Sequence, residues 1–488
     1  MAKVALLGLT GFDPGLVEQW LEDLPNLRGL QQEGIWGKIQ SSVPPTVVTA
    51  WTCALSSRNP GAFGFWDVAY RGDFSYGEPK VIDCRVKDQR VGSLYNVLHM
   101  SGQKVALVNV PASWPPPRIP GGYSVSPTVK SGLEKGFTWP KSLADEVQGL
   151  VGEYILETPG VEQKPLPMEK GSAQETIRET DLQRFTLLKH FIVKRQCDCV
   201  ITVAEGPDRA ARLYYRFLDE RHRRYDADPE RKNALHDYYL WVDMQIGEIR
   251  RALDENTALF ILSDHGVQRL DGLVNLNEWL IKEGYMALEQ YPSEPAAFGD
   301  LKVDWSKTRA WATGRAGQIY INVRGRESGG IVATEGYNGL LDELIARIKQ
   351  IPDEKGNALA TRVLKRNEIY SGPFAEYAPD LFVCFDEGRR RTNERVGYGP
   401  GSIHLFDASL AGEDGSDSLV GYFCLAGPGI PSKGEYSGAT LYDVAPTVLD
   451  VMDLEIPQEM EGVSISGKER TPEEEEALVQ ERLKFLGY

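Results

Sequence analysis

The sequence predicts an α/β fold in which short buried strands alternate with amphipathic helices. Three observations carry this. The apolar stretch Val4 to Leu9 opens the chain and passes through Thr10-Gly-Phe-Asp-Pro14 into an amphipathic helix. A second apolar stretch, Val200 to Ala204, delivers Glu205-Gly-Pro-Asp208 and another helix. A third, Ala258 to Leu262, follows a long amphipathic helix and ends in Ser263-Asp-His-Gly266. Runs of five or six apolar residues are the pattern of strands buried on both faces. The carboxylates and imidazole at their ends stand where open α/β sheets place a ligand crevice.

The remaining elements follow in chain order. Gly15 to Gly34 reads as helix with Leu16, Trp20, Leu24, Leu27 and Leu30 as its apolar face, broken at Pro25. Trp36 to Ser42 reads as a strand. Pro44-Pro-Thr-Val-Val-Thr-Ala-Trp51 is an extended entry into a helix reaching about Ser57. The free N–H groups of that first turn suit an anion, although Thr46 or Thr49 as an ordinary N-cap fits the same residues. Residues 68–195 are irregular and read as an insertion over the crevice. Within them, only helix Val91 to Met100, strand Lys104 to Asn109 and helix Arg184 to Lys194 stand out. Arg209 to Leu218 and Asp237 to Leu253 are helices, so two sequential helix–strand units put Asp208 and Asp264 on one sheet edge. A second insertion spans 290–380, with strand Gln318 to Val323 and helix Tyr337 to Ile351; Leu381 to Phe385 then returns to the sheet. Gly399 to His404 is a loop, Val420 to Ala426 a strand, Thr440 to Val451 a helix, and 471–486 a charged terminal helix.

Composition limits the function classes. The chain has 488 residues, long enough for one large domain with insertions, and a net charge of -16. Such acidity argues against a nucleic-acid partner, which needs clustered Lys and Arg, but leaves room for an anionic small molecule in a locally positive pocket. No apolar run reaches the length of a membrane span. Six scattered cysteines and the lack of a leader before Val4 lead us to expect a cytoplasmic protein with reduced thiols.

Asp264 and His265 are both good ligands for a divalent metal. An isolated Asp-His-Gly is more often a turn opened by Asp264 beside a satisfied histidine. The wider pattern favours the metal. Leu7-Gly-Leu-Thr-Gly-Phe-Asp-Pro14, Pro44 to Trp51, Asn59-Pro-Gly61, Asn109-Val-Pro111, Asp208-Arg209, Ser263-Asp-His-Gly266 and Asn277-Glu-Trp-Leu280 come in an ordered series. Asp304 to Arg309, Ile319 to Asn322, Ala378-Pro-Asp-Leu381, Gly427-Pro-Gly-Ile430 and Tyr442 to Thr447 continue it. The chain thereby resembles the alkaline phosphatase superfamily, in its cytosolic phosphohydrolase/phosphomutase branch, related to type I phosphodiesterases and nucleotide pyrophosphatases.

The resemblance implies a mixed sheet sandwiched between helices, with the two insertions capping its carboxyl edge. It also implies two metal ions, commonly zinc, and a Thr or Ser nucleophile at a helix entry. Asp208, Asp264, His265 and His404 match the family's metal ligands. Three positions depart from the pattern. Thr10 stands where the first-strand carboxylate belongs, Arg212 where a metal-binding histidine belongs, and Val47 where the nucleophile belongs. Three readings follow. One is a conventional two-metal phosphatase or phosphodiesterase using Thr46. Another is a remodelled site in which Asp208, Asp264, His265 and His404 hold one zinc, iron or manganese ion while Arg212 supplies the lost charge. The third is a non-catalytic descendant, without metal, binding an anionic ligand or a partner protein. Trp66, Tyr70, Arg71, Trp114, Arg309 and Arg315 are candidate lining residues.

Overall fold

A computed structural model describes residues 3–77, 79–82, 85, 87, 90–127, 136–156, 172–406 and 413–467. The terminal helix expected over 471–486 lies outside these residues. The central sheet is built from β1 (Lys3–Leu9), β2 (Ile35–Gln40), β3 (Val105–Val108), β4 (Tyr123–Val125), β5 (Thr138–Trp139), β6 (Cys199–Ala204) and β7 (Thr257–Leu262). It is completed by β8 (Val420–Ala426), β9 (Gly434–Glu435) and β10 (Ala439–Thr440). The spatial order is β9-β2-β8-β7-β1-β6-β3-β4-β5, with β10 also on β2. β7, β1, β6, β3 and β4 run parallel, while β8 runs antiparallel to both β7 and β2, so the sheet is mixed.

Alternation along the strands builds two cores, one on each face. Val4 and Leu6 of β1, Ile201 and Val203 of β6, and Phe260 and Leu262 of β7 belong to one. Ala5, Leu7 and Leu9, Val200 and Ala204, and Leu259 and Ile261 belong to the other. Each inner strand is therefore buried on both faces and largely apolar, which is why these strands read as continuous runs. Helices α1 (Pro14–Trp20) and α2 (Pro25–Glu33) are separated by a single 3-10 turn that precedes Pro25. They pack on the second face with α4 (Ser172–Lys189), α5 (Gly206–Leu218) and α6 (Ala234–Ala252), whereas α3 (Val47–Ser56) and α7 (Val444–Val451) cover the first.

Two expectations need correction. Residues 68–195 are more than an insertion: β3, β4 and β5 extend the central sheet from within them. Strands of two and three residues are too short to show a period, so only β3 was visible in the sequence. Leu381–Cys384 pairs not with the central sheet but with Gln318–Ile321 and Arg362–Lys365. With Ala310–Thr313 these form a separate four-stranded sheet, backed by helix Thr334–Ile348 and its own apolar core. Among the described residues no helix is long and apolar enough to cross a membrane.

Candidate metal and anion site

Register brings the site together. Gly8 pairs with Leu262 and Leu9 with Ala204, so Thr10, Glu205 and Ser263 leave the sheet at one edge. The turn after β1 is tight because Gly11 adopts φ +76° and a Cβ there would lie 2.7 Å from the Asp208 Cα. The Asp208 N–H donates to the Thr10 carbonyl at 3.0 Å, which locks the start of α5 onto that turn. A Cβ on Gly8 would meet the Trp51 ring at 2.3 Å; its absence lets the buried indole lie on β1 and donate to Thr10 Oγ1 at 3.2 Å.

Asp264 and His265 are fully buried. His265 Nδ1 faces the Gly266 carbonyl at 2.9 Å, which orients the ring, and Nε2 lies 3.8 Å from Asp264 Oδ2. His265 Nε2 and Asp208 Oδ1 are buried without a hydrogen-bond partner among the described residues, and the buried Asp264 carboxylate faces the Thr10 hydroxyl and its own backbone N–H. Burial pushes the Asp264 carboxyl up to about 6, against the pull of His265. Burial disfavours a charged His265, but Asp264, Asp417 and Asp208 outweigh it and raise the ring to about 9. An imidazole nitrogen so surrounded needs a positive partner, either a proton or a cation. Ligand atoms of Asp208, His265 and Asp417 all lie within 4.8 Å of one another.

Arg212 sits one turn along α5 from Asp208. Its Nε donates to Asp208 Oδ2 at 2.7 Å, its Nη1 to Glu413 Oε2 at 2.9 Å, and its Nη2 to Asp417. Burial works against this charge, yet the three carboxylates hold the guanidinium protonated well beyond its ordinary range. Reciprocally, burial opposes the Asp417 and Glu413 charges, but the arginines bring both carboxyls down, Glu413 to about 2. Glu413 Oε2 also accepts from Arg391 at 2.5 Å, and its Oε1 lies 3.6 Å from Arg315.

The structure thus unites Thr10, Asp208, Arg212, Asp264 and His265. It does not bring His404 to them. His404 pairs with Val274 at the edge of a separate three-stranded sheet and stacks with Phe406. Burial lowers its pKa, the Pro352 backbone opposes that, and Arg390 and Arg223 add to it. Asp417 occupies the cluster instead. β8 is antiparallel to β7, so the strand before it, Gly415–Ser418, runs beside Gly266–Arg269 and sets Asp417 opposite Val267. Nothing in the sequence alone states that β8 is antiparallel, and an Asp at its amino end is otherwise unremarked. Thr46 is the N-cap of α3, and its hydroxyl lies 2.8 Å from Thr49 Oγ1 and 3.1 Å from the Trp66 carbonyl. Val47 packs against the first core. Of the candidate lining residues, Arg315 reaches the cluster; Arg71 lies over the Phe74, Tyr320 and Trp311 rings and pairs with Glu327.

A mixed sheet between helix layers, with an Asp-His pair and a facing Asp at its carboxyl edge, defines an alkaline-phosphatase-like α/β protein. The family model for type I phosphodiesterase/nucleotide pyrophosphatase matches residues 4–397, and the chain belongs to that family. Among solved structures, it is similar to phosphonoacetate hydrolase from Sinorhizobium meliloti 1021 in complex with phosphonoformate. That likeness has a TM-score of 0.57 and 13% identity, covering 93% of this chain and 95% of the other. It is also similar to murine ectonucleotide pyrophosphatase/phosphodiesterase 5, in an inactive form in complex with AMP. There the TM-score is 0.50 and the identity 13%, covering 94% and 96% of the two chains. At such identity the likeness is one of fold. No curated protein matches the sequence.

Proposed function

We propose that this chain is a hydrolase of phosphorylated or similarly anionic small molecules that works with one divalent cation, zinc, iron or manganese, rather than two. The observation that carries this reading is a pair of buried atoms without partners among the described residues, His265 Nε2 and Asp208 Oδ1, beside an Asp264 carboxylate whose nearest donors are the Thr10 hydroxyl and its own backbone. Buried polar groups without partners are costly, and two carboxylates converging on an imidazole are a hard-and-borderline donor set suited to these ions. Asp208, His265 and Asp417 would hold the cation, with Asp264 beside His265 at its edge, and His404 is not required. Such an ion supplies Lewis-acid polarisation of a phosphoryl oxygen when bound.

A second cation is disfavoured by the donors that remain. Arg212 already takes one oxygen of Asp208 and one of Asp417. The oxygens left over suit a single ion beside His265. Thr10, on the other side, is neutral. The remaining work falls to the chain itself: Arg212 fixes the Asp208 and Asp417 carboxylates, and Trp51 fixes the Thr10 hydroxyl. That the two structural neighbours are complexes with phosphonoformate and AMP supports an anionic small-molecule ligand.

One observation favours the alternative of a non-catalytic anion binder. Val47 has no nucleophilic atom, and the Thr46 hydroxyl is engaged with Thr49 and Trp66. Turnover of aryl phosphate monoesters and diesters, with and without each cation, separates the two. Cation-dependent turnover abolished in Asp264→Asn supports the hydrolase. Binding of one cation with no turnover of any phosphoester supports the binder.

A further inference from the structure

We propose that Arg212, Arg315 and Arg391 form an anion subsite beside the Asp208–His265–Asp417 cluster, and that the Glu413 carboxylate fills it as a tethered competitor for a phosphate group. This rests on the hydrolase reading only for which molecule carries that phosphate. The arginine chemistry itself is independent of any cation.

The three guanidinium groups come from three places: α5, the turn at residues 314–317, and strand Arg390–Asn393. All converge on one side chain, with Glu413 Oε2 at 2.9 Å from Arg212 and 2.5 Å from Arg391, and Oε1 at 3.6 Å from Arg315. Their charges are not equally matched. Arg212 is also paired with Asp208 and Asp417. Arg391 and Arg315 have Glu413 as their ion-pair partner among the described residues. Asp417 also lends charge to Arg391, and Asp67 to Arg315, but among the described residues Glu413 is the one carboxylate in ion-pair contact with both guanidinium groups.

Donors are left over as well. The Arg391 side chain is only 10% exposed, and its Nε is buried without a hydrogen-bond partner. The Arg315 side chain, by contrast, is 62% exposed, so the cluster opens to solvent on that side. A phosphate monoester dianion supplies the second negative charge and a third terminal oxygen, both of which a carboxylate lacks. Planar guanidinium forks match phosphate oxygens in pairs. Glu413 thus mimics one edge of a phosphate, and being tethered it competes at a high effective concentration.

The test is calorimetric titration of the full chain with inorganic phosphate in the presence of EDTA. Glu413→Gln is expected to bind phosphate about tenfold or more tighter than the unsubstituted chain, because a tethered charged competitor is removed. Glu413→Gln combined with Arg391→Gln is expected to lose that gain. Phosphate should also raise the melting temperature of Glu413→Gln by more than that of the parent. If Glu413→Gln does not fold, Glu413→Asp, one methylene shorter, is expected to bind phosphate more tightly than the parent. Equal affinity in parent and variant overturns the proposal, as does phosphate binding that appears only when a cation is added. Metal content measured on the same preparations before EDTA is added, after exposure to zinc, iron and manganese, keeps the two readings apart. One cation per chain without a gain in phosphate affinity removes the subsite alone. A gain in affinity with no cation bound retains the subsite and removes the one-cation hydrolase.

Discussion

Arg212 Nε and Asp208 Oδ2, one helical turn apart on α5, meet at 2.7 Å at the carboxyl edge of the sheet. The same guanidinium also reaches Glu413 and Asp417. One fixed cation thereby gathers three carboxylates that would otherwise repel one another.

Removing that cation should destabilise the fold sharply. Arg212→Met leaves three largely buried carboxylates without their shared partner, and breaking a buried ion pair from one side costs about 3–5 kcal/mol. Urea denaturation of the variant against the parent at pH 7 measures it. A loss below about 1 kcal/mol, the range of an exposed pair, would show that the cluster does not hold this end of the protein together.

Thr46 is predicted not to be the nucleophile. Its hydroxyl is bonded to Thr49 and Trp66, and Thr46→Ala should retain turnover of a phosphate ester within a few-fold. A fall of about a hundredfold or more in kcat, with KM unchanged, would return Thr46 to the chemistry and favour the two-metal arrangement.

Gly8 is predicted to be intolerant of any side chain. A Cβ would stand 2.3 Å from the Trp51 ring, on a strand buried on both faces. Gly8→Ala should cost about 1–3 kcal/mol by overpacking and move the indole away from Thr10. Denaturation gives the first quantity; a shift in the tryptophan emission reports the second. An unshifted spectrum with parental stability would mean that Trp51 does not rest on β1.

The pH dependence should have two slopes of opposite sign. Burial works against the Glu413 charge, but Arg391, Arg212 and Arg315 bring its carboxyl from 4.5 down to about 2. Its contribution is therefore present above pH 4.5 and lost as pH falls toward 2. Asp13, which caps α1 and accepts from Val267, is pushed by burial from 3.8 up to about 6, against its backbone hydrogen bonds. Its contribution is present below pH 3.8 and lost as pH rises through 6. Stability of the parent minus that of Glu413→Gln should fall between pH 4.5 and 2. Stability of the parent minus that of Asp13→Asn should fall between pH 4 and 6. A flat difference in either window removes the corresponding electrostatic account.

Much of this site is legible in the sequence because its strands are apolar on both faces. Asp208 and Asp264 each follow such a run, and strand ends in a parallel sheet share an edge. Arg212 is legible through its spacing of four from Asp208, which is one helical turn. Asp417, Glu413 and Arg391 are not. They sit on strands and turns whose pairing depends on the antiparallel direction of β8 and on the separate small sheets, which no local pattern encodes. His404 misled for the same reason: a histidine in a late glycine-rich loop fits the resemblance, but its strand pairs with Val274 instead. β4 and β5 escaped notice because three and two residues carry no period.

The count of divalent metal ions per chain tests the central claim most directly. Protein purified without added metal, then exposed in turn to zinc, iron and manganese and desalted, is assayed by elemental analysis alongside His265→Ala. The one-cation arrangement predicts one ion per chain in the parent and none in His265→Ala. Two ions per chain, or none after exposure to all three metals, would contradict it.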